Sequence, residues 1–388
     1  MLRLADISST AADPADELAA PVQVTISRDF DDPYLELLRL LREAAEIEHA
    51  LMVQYLYAAF SIRPLYSRLQ GATSASARNL MGVAIQEMKH LSAVNRLLVE
   101  LGATPCLERQ DLPYEPEIYP FAFELERLTP LSLAKYTWTE APAGALEPGP
   151  ASTAEDRQFF ERLAQTLGED TRPNHLGSLY GTMIVRLRDL AAAPPPRLPD
   201  VASWEARLAA IKDEGEDDHY HFFRSVLMGK HAAFDGDEGI WSLPPDDPRY
   251  PSFPVPQNPT ALIAHPHAQR PATVPWLGNL HYWMVLMLLD LGYRHAMPTF
   301  NIAKRHMTEP LTTLGRALAA KGDGMPFDLL SMGYACGVDR AGSVEVVRRL
   351  ADEADGVAQG LAAAGELPAD YPPDINAVTA QQLAQMEA

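Results

Sequence analysis

The chain has 388 residues and a formal net charge of -20, and 47% of its residues are hydrophobic. This length can bury a large core in one or two domains. The acid excess argues against nucleic-acid partners and anionic membrane surfaces, because like charges repel. We expect no membrane span, since no apolar run reaches the roughly 18 residues of a span. We also expect no signal peptide, since Asp and Ser interrupt the first residues before any apolar run long enough for one. Cys106 and Cys336 lie far apart, so we expect buried or idle thiols and a cytoplasmic protein.

The first part of the chain predicts an arm followed by a long helix. Residues 1–30 show no sustained hydrophobic period, and we expect an N-terminal arm with a short strand at 22–26. A helix is predicted over 32–61, because an Asp-Pro pair at its start suits an N-cap and a first turn. Glu48 falls on the apolar stripe of this helix, so its carboxylate is predicted to face the core. His49 falls on the more polar face.

The second helix carries the motif around which the rest of the chain is interpreted. It is predicted to begin after a cap at Ser74 or Ser76 and to end at Gly102. Glu87 and His90 are three residues apart, one helical turn, and both fall in register with apolar residues of the same stripe. A charged group that faces a core is costly unless it is paired or binds a metal. The pair is therefore a candidate for metal binding.

The remainder of the chain predicts helices interrupted by one proline-dense segment. The predicted helices are 131–139, 154–167, 174–192, 203–228, 276–293, 301–321 and 343–364, the last capped by Ser343, with a short helix in the tail. The fold class is therefore all-α, a four-helix bundle with additional C-terminal helices. The predicted domains are a 1–30 arm, a 31–230 metal-binding bundle, a 231–275 proline-rich wrap and a 276–388 helical extension packed on the bundle.

A second Glu-x-x-His pair lies on the predicted helix 203–228. Glu216 and His219 repeat the spacing of the first pair and are in phase with apolar neighbours. The two pairs and Glu48 together give three carboxylates and two imidazoles, which is most of the ligand set of a ferritin-like dinuclear site. Asp217 and His221 compete as ligands, because this turn is rich in acids and histidines. Buried ion pairs and a solvated acidic face are the alternative interpretation.

The motifs of the first two helices resemble a known family. Residues 46–62, followed by the motif Gln86-Glu-Met-Lys-His90, resemble the ferritin-like domain of the iminophenyl-pyruvate dimer synthase family. The resemblance extends over most of residues 35–330. It implies a ferritin-like bundle in which the metal ligands are Glu48, Glu87, His90, Glu216 and His219.

One position departs from the family. The third helix of the family commonly reads Gly-Glu-Phe-Tyr, but this chain has Gly177-Ser-Leu-Tyr180, which places Ser178 where the fourth carboxylate is expected. A second metal ion would then be weak, absent, or completed by water, His175, Glu140 or a substrate carboxylate. We rank His175 first because it lies one turn before Ser178. Capping of the helix by His175 is the alternative.

These residues lead to one main hypothesis for function. We expect a non-haem iron oxidoreductase that holds one or two iron ions, or manganese instead, and acts with O2 on a small, amino-acid-derived molecule. Tyr55 and Tyr180 are candidate catalytic residues near the metal, with core packing as the alternative. A second hypothesis, from the family, is coupling of two aromatic imino acids; a third is a non-catalytic iron-binding protein. Assembly as a homodimer is one option, because ferritin-like bundles often pair through helical faces.

Overall fold

The computed structural model describes most of the chain, and every structural statement below refers to the described residues. These are 26, 28–71, 76–109, 121–142, 144–146, 149–150, 152–168, 176–192, 194–195, 197–262, 272–329 and 339–387. His175, Cys336, most of the predicted arm and all but the last residue of the strand predicted at 22–26 lie outside them.

The described residues form an all-α structure, as predicted. The helices are α1 (Pro33–Ser61), α2 (Ser67–Gln70), α3 (Leu80–Glu100), α4 (Pro130–Glu140), α5 (Ala154–Leu167), α6 (Leu176–Asp189), α7 (Val201–Asp213), α8 (Tyr220–Leu227), α9 (Val274–His295), α10 (Phe300–His306), α11 (Thr312–Ala320), α12 (Arg340–Ala364) and α13 (Ile375–Glu387). Short 3-10 turns cover Pro64–Tyr66, Ala232–Phe234 and Ile240–Ser242, and π-helical turns cover Glu214–His219 and Met307–Leu311. No strand occurs in these ranges; one isolated bridge joins Ile62 to Ser252.

Helix α1 is the central helix of the molecule, and its predicted bounds are confirmed. The side chain of Asp32 accepts hydrogen bonds from the amides of Tyr34 and Leu35, which satisfies two of the free N–H groups at the start of the helix. The assignment of His49 to a polar face was wrong, because its side chain is fully buried. Its Nε2 lies 2.6 Å from the hydroxyl of Tyr282 on α9, and its Nδ1 lies 3.1 Å from the carbonyl oxygen of Glu108.

Helix α3 packs along α1 in the most extensive helix–helix contact of the structure. It begins later than predicted, because Asn79 rather than Ser74 or Ser76 caps it: the Asn79 side chain accepts from the amide of Gly82. The register predicted for its apolar stripe is nevertheless correct, since Glu87 and His90 are both buried.

The other half of the bundle is built from broken helices. The predicted helix 203–228 is divided into α7 and α8 by the π-helical turn Glu214–His219. Helix α6 packs on α7 and α1, whereas α4 packs on α8. Helices α4 and α6 thus stand against the two halves of one interrupted helix. We infer that together they occupy the third position of a four-helix bundle.

The proline-rich segment forms hydrogen bonds both to the C-terminal end of α1 and to the chain that precedes α4. The amide of Phe253 donates to the carbonyl of Ser61 at 2.7 Å, and the Ser252 hydroxyl donates to the carbonyl of Leu128 at 2.6 Å. The hydroxyl of Tyr57 donates to the carbonyl of Pro256. These hydrogen bonds give partners to backbone carbonyl and amide groups that would otherwise be unpaired.

The C-terminal helices pack around α9, which is buried along most of its length. Although α9 is strongly apolar, no helix among the described residues is long and apolar enough to cross a bilayer. The predicted helix 301–321 is divided by a π-helical turn that contains Pro310, which cannot donate an i→i−4 bond. Asp339 rather than Ser343 caps α12, and Gly365 ends it with φ of 72° as predicted.

Candidate metal centre

Five buried carboxylate and imidazole side chains converge where α1, α3, α4 and the π-helical turn meet. They form two groups, Glu48 with Glu87 and His90, and Glu87 with Glu140 and His219. Within each group the candidate ligand atoms all lie within 4.8 Å of one another. Glu87 belongs to both groups, so the cluster has two halves that share one carboxylate.

The shared carboxylate of Glu87 presents one oxygen to each half. Its Oε2 lies 3.0 Å from Nδ1 of His90, and its Oε1 lies 2.9 Å from Nδ1 of His219. The two imidazole rings lie nearly parallel, with centroids 5.8 Å apart. This is the arrangement of a carboxylate that can bridge two cations, each with one imidazole ligand.

The two outer carboxylates are each held by a tyrosine. The hydroxyl of Tyr180 donates to Oε1 of Glu48, and the hydroxyl of Tyr55 donates to Oε1 of Glu140 at 2.6 Å. Burial and the neighbouring carboxylates raise the pKa of Tyr55 and Tyr180 well above the ordinary value. Both hydroxyls therefore keep their protons and act as donors. Both candidate catalytic tyrosines lie against the cluster.

Several polar atoms of the cluster have no hydrogen-bond partner among the described residues. They are Oε2 of Glu48, Oε1 of Glu87, and Nδ1 and Nε2 of His219. The contact of 2.9 Å between Glu87 and His219 lacks the alignment of a hydrogen bond. A buried polar atom without a partner costs about 1–3 kcal/mol, so such atoms are rare unless they serve another purpose. Carboxylate oxygens and imidazole nitrogens that converge in this way fit a bound cation.

The charges of the cluster support the same conclusion. Burial raises the pKa of Glu48 to about 8. Burial also opposes ionisation of Glu87, but His219 and His90 outweigh it and lower the pKa of Glu87. Burial opposes the imidazolium of His219, but Glu87 and Glu140 outweigh it and raise its pKa to about 10. In the absence of metal, protons on the imidazoles balance the carboxylates. Metal binding would displace those protons.

The π-helical turn changes which acidic residue meets His90. Glu214 and His219 are five residues apart, the repeat of a π-helix, so they share a face. Oε2 of Glu214 lies 2.7 Å from Nε2 of His90, on the side of the ring away from Glu87. Nδ1 of His90 thus faces Glu48 and Glu87, and its Nε2 meets Glu214. A carboxylate is the usual partner of the nitrogen that a bound metal leaves free.

The structure brings four of the predicted ligands together: Glu48, Glu87, His90 and His219. Glu216 belongs to neither group, since its Oε2 lies 2.6 Å from Nζ of Lys212, although its side chain lines the same small cavity as the cluster. The spacing argument assumed an ordinary α-helix, and the π-helical turn rotates Glu216 aside. The competing candidates Asp217 and His221 are exposed.

Glu140 supplies the carboxylate that Ser178 lacks. It is the last residue of α4 and is only 3% exposed. The helix predicted at 131–139 ended one residue short of it, and Glu140 was one of several options for completing the second half. A signal was available: Leu133, Tyr136 and Glu140 lie at helical spacing on an apolar stripe. The cluster therefore has a glutamate from α4, whereas the resemblance leads us to expect one from α6.

Comparisons with known proteins agree with this architecture. Residues 41–201 match the family model described as ferritin-like. The chain is 28% identical to a dichlorochromopyrrolate synthase from Lentzea aerocolonigenes, over 66% of this chain and 30% of the relative. It therefore spans about 30% of the relative's length. No solved structure matches. The ferritin-like resemblance predicted from the motifs of α1 and α3 is confirmed by this match over residues 41–201.

Proposed function

We propose that the chain is a dinuclear metal oxidoreductase that acts on a small, amino-acid-derived molecule with O2 as the oxidant. The observation that carries the proposal is the position of Glu87, which presents Oε2 to His90 and Oε1 to His219. A single buried ion pair would need only one contact between this carboxylate and an imidazole. Two halves joined by one carboxylate suit two cations.

The donor set favours iron. One ion would be held by Glu48, His90 and Oε2 of Glu87; the other would be held by Glu140, His219 and Oε1 of Glu87. Hard carboxylate oxygens with one imidazole per ion suit iron or manganese rather than a soft metal. A pair of iron ions, when bound, supplies oxidation by O2. The protein's own contribution is to orient both outer carboxylates through Tyr180 and Tyr55 in a buried, enclosed site.

Glu216 is proposed as a further ligand. Its carboxylate lines the same cavity as Glu48, Glu87 and Glu140, although it contacts Lys212. A rotation of the side chain toward the cluster would complete a set of four carboxylates and two imidazoles, the usual ferritin-like number.

Metal content per chain tests the proposal. The protein would be loaded anaerobically with ferrous iron and analysed for metal beside three variants. We expect two ions in the wild type. Glu140→Ala should keep about one, because Glu48, Glu87 and His90 remain. Glu87→Ala should keep little or none, because it removes the shared ligand. The control Glu161→Ala changes an exposed carboxylate of α5 and should retain two. Absence of metal from the loaded wild type, or two ions in Glu87→Ala, would contradict the proposal.

Coupling of two aromatic imino acids is a second candidate, favoured by the synthase among the relatives. It predicts turnover of an aryl-pyruvate imine by the iron-loaded chain. Oxidation of a single molecule predicts O2 consumption without a coupled product. A non-catalytic iron protein predicts bound metal but no O2 consumption with any reductant. That last candidate depends on a missing fourth carboxylate: Glu48, Glu87 and Glu140 give three, and Glu216 is proposed as the fourth.

A further inference from the structure

A larger cavity lies on the outer side of the contact between His90 and Glu214. Its volume is about 340 Å³, and it is bounded by α3, α7 and Phe300 at the start of α10. His90 lines both this cavity and the small one at the cluster. The His90–Glu214 pair is thus the wall between the larger cavity and the candidate metal centre.

Three cationic side chains line this cavity: Lys89, Arg96 and Arg207. None of them forms an ion pair with another residue that the structure describes. All three side chains are exposed to solvent, so a ligand that enters the cavity meets them directly. The guanidinium of Arg207 lies 4.7 Å from the centroid of the Trp204 ring, a cation–π contact that holds it in place without neutralising it.

Two of the cations, Arg96 and Arg207, lie away from this wall, whereas Lys89 adjoins His90 in sequence. Arg96 follows His90 by six residues on α3, and Arg207 precedes Glu214 by seven residues at the end of α7. At 1.5 Å of rise per residue, the arginines lie about 9 to 11 Å along their helices from the His90–Glu214 contact. The two guanidinium groups at one end and the carboxylate of Glu214 at the other would orient a ligand that carries one negative group.

We propose that this cationic cavity, lined by Lys89, Arg96 and Arg207, is the substrate site and binds a small carboxylate. Arg96 and Arg207 hold the carboxylate, because a guanidinium presents paired donors that match its two oxygens. Phe300 and Ile211 contact the apolar body of the ligand, and its opposite end faces His90 and Glu214. A volume of about 340 Å³ is at the small end of ligand pockets and suits one such molecule. This inference rests on the proposed function, since it places the substrate beside the candidate metal centre.

Binding of a non-reacting acid and its amide tests the inference. The full chain would be titrated calorimetrically with 3-phenylpropionate and with 3-phenylpropionamide, which differ in charge but hardly in shape. We expect the acid to bind the wild type at least tenfold more tightly than the amide. The double variant Arg96→Gln and Arg207→Gln should bind the acid at least tenfold more weakly than the wild type does. The controls Arg78→Gln and Lys321→Gln, which change exposed cations outside the cavity, should match the wild type.

Three outcomes would overturn the inference: equal affinity for acid and amide, unchanged affinity in the double variant, and no saturable binding of the acid up to its solubility limit. Metal content is measured on the same samples. A double variant that keeps the metal content of the wild type but loses acid binding supports the cavity assignment. Wild-type protein without metal that still binds the acid through Arg96 and Arg207 would refute the proposed function and leave the binding site intact.

Discussion

The hydroxyl of Tyr55 lies 2.6 Å from Oε1 of Glu140, so a tyrosine of α1 holds the carboxylate at the end of α4. Tyr180 of α6 holds Glu48 of α1 in the same way. Each outer carboxylate thus has one oxygen fixed by a phenol. The second oxygen of Glu48 has no hydrogen-bond partner among the described residues. The tyrosines therefore act on the orientation of the candidate ligands.

Replacement of Tyr55 by phenylalanine tests this role. Tyr55→Phe keeps the ring, which packs with its centroid 4.8 Å from that of Tyr136, but removes the donor to Glu140. Loss of a partner that orients a ligand typically weakens metal affinity by roughly 10–100-fold. We therefore expect weaker binding of the ion proposed for Glu140 and His219. Binding of the ion proposed for Glu48 and His90 should be unchanged. Both are measured by calorimetric titration with ferrous iron.

Tyr136→Phe is the matched control, because its hydroxyl is also buried but lies 3.5 Å from the carbonyl oxygen of Gln54 rather than against a candidate ligand. It should bind both ions as the wild type does. Equal losses in the two variants would mean that Tyr55 contributes through packing rather than through Glu140.

Gly215, in the π-helical turn, lies directly against Glu140. A Cβ atom at this position would come within 3.0 Å of Oε2 of Glu140, closer than most real contacts. Because Tyr55 fixes the other oxygen, the carboxylate cannot easily move aside. Gly215→Ala should therefore lower the metal content from two ions toward one per chain, measured by elemental analysis after anaerobic loading.

Gly181→Ala on α6 provides the control, since a Cβ there would meet nothing within 4 Å. Alanine inside a helix is about 0.5–1 kcal/mol more favourable than glycine, so this variant should be at least as stable as the wild type and keep both ions. Full metal content in Gly215→Ala would show that Glu140 is not a ligand.

Glu214 is expected to act on metal binding through His90. Its Oε2 lies 2.7 Å from Nε2 of His90, and its other oxygen accepts from the side chain of Gln86. Glu214→Ala leaves the His90 side chain free to rotate. It should weaken binding of the ion proposed for Glu48 and His90 by roughly 10–100-fold. Asp217→Ala removes an exposed carboxylate of the same turn and should have no effect. Parallel titrations of the two variants decide the question; equal affinities would refute the role of Glu214.

Much of the bundle could be predicted from local pattern. Helices α1 and α3 follow a regular 3.6-residue period, so the inward positions of Glu48, Glu87 and His90 follow from spacing alone. His49 could not be placed, because the helix that buries it, α9, lies more than two hundred residues away in sequence. Fold-level reasoning supplied the ferritin-like family but not the residues that complete its site.

The errors at the site have two causes, of which the first is a change in backbone geometry. A π-helical turn has no clear sequence signal, yet it brings Glu214 to His90 and moves Glu216 toward Lys212. The split of the third bundle position between α4 and α6 likewise depends on tertiary packing. It makes Glu140 the acidic neighbour of His219, where sequence comparison had pointed to Ser178.

Two buried histidines form a continuous hydrogen-bonded chain in the C-terminal helices. His281 and His306 face each other through Nδ1 atoms 3.0 Å apart. His281 Nε2 lies 2.8 Å from the hydroxyl of Tyr371, and His306 Nε2 lies 2.8 Å from that of Thr379. Thr379 donates to the carbonyl of Ile375, so it accepts from His306. Two neutral imidazoles therefore satisfy every polar atom of the chain.

These histidines should make the protein sensitive to acid. Burial lowers the pKa of His306 to about 3, and burial together with His306 lowers that of His281 well below its ordinary value. The unfolded chain binds these protons near pH 6.5 and the folded chain does not. Their contribution to stability is therefore complete above pH 6.5 and is lost as the pH falls toward about 3, by up to about 1.4 kcal/mol per pH unit for each histidine.

The prediction is tested by urea unfolding of the wild type and two variants over this pH range. For each protein the slope of the free energy of unfolding against pH is measured, and the slopes are compared. The titration of the candidate metal ligands is common to all three proteins and cancels in the comparison. His306→Gln should flatten the dependence of the free energy of unfolding on pH by about 1.4 kcal/mol per unit. His221→Gln, which changes an exposed histidine, should leave the slope as it is in the wild type. A slope in His306→Gln equal to that of the wild type would mean that His306 already carries a proton in the folded protein. The chain from Tyr371 to Thr379 would then run in the opposite direction through His281.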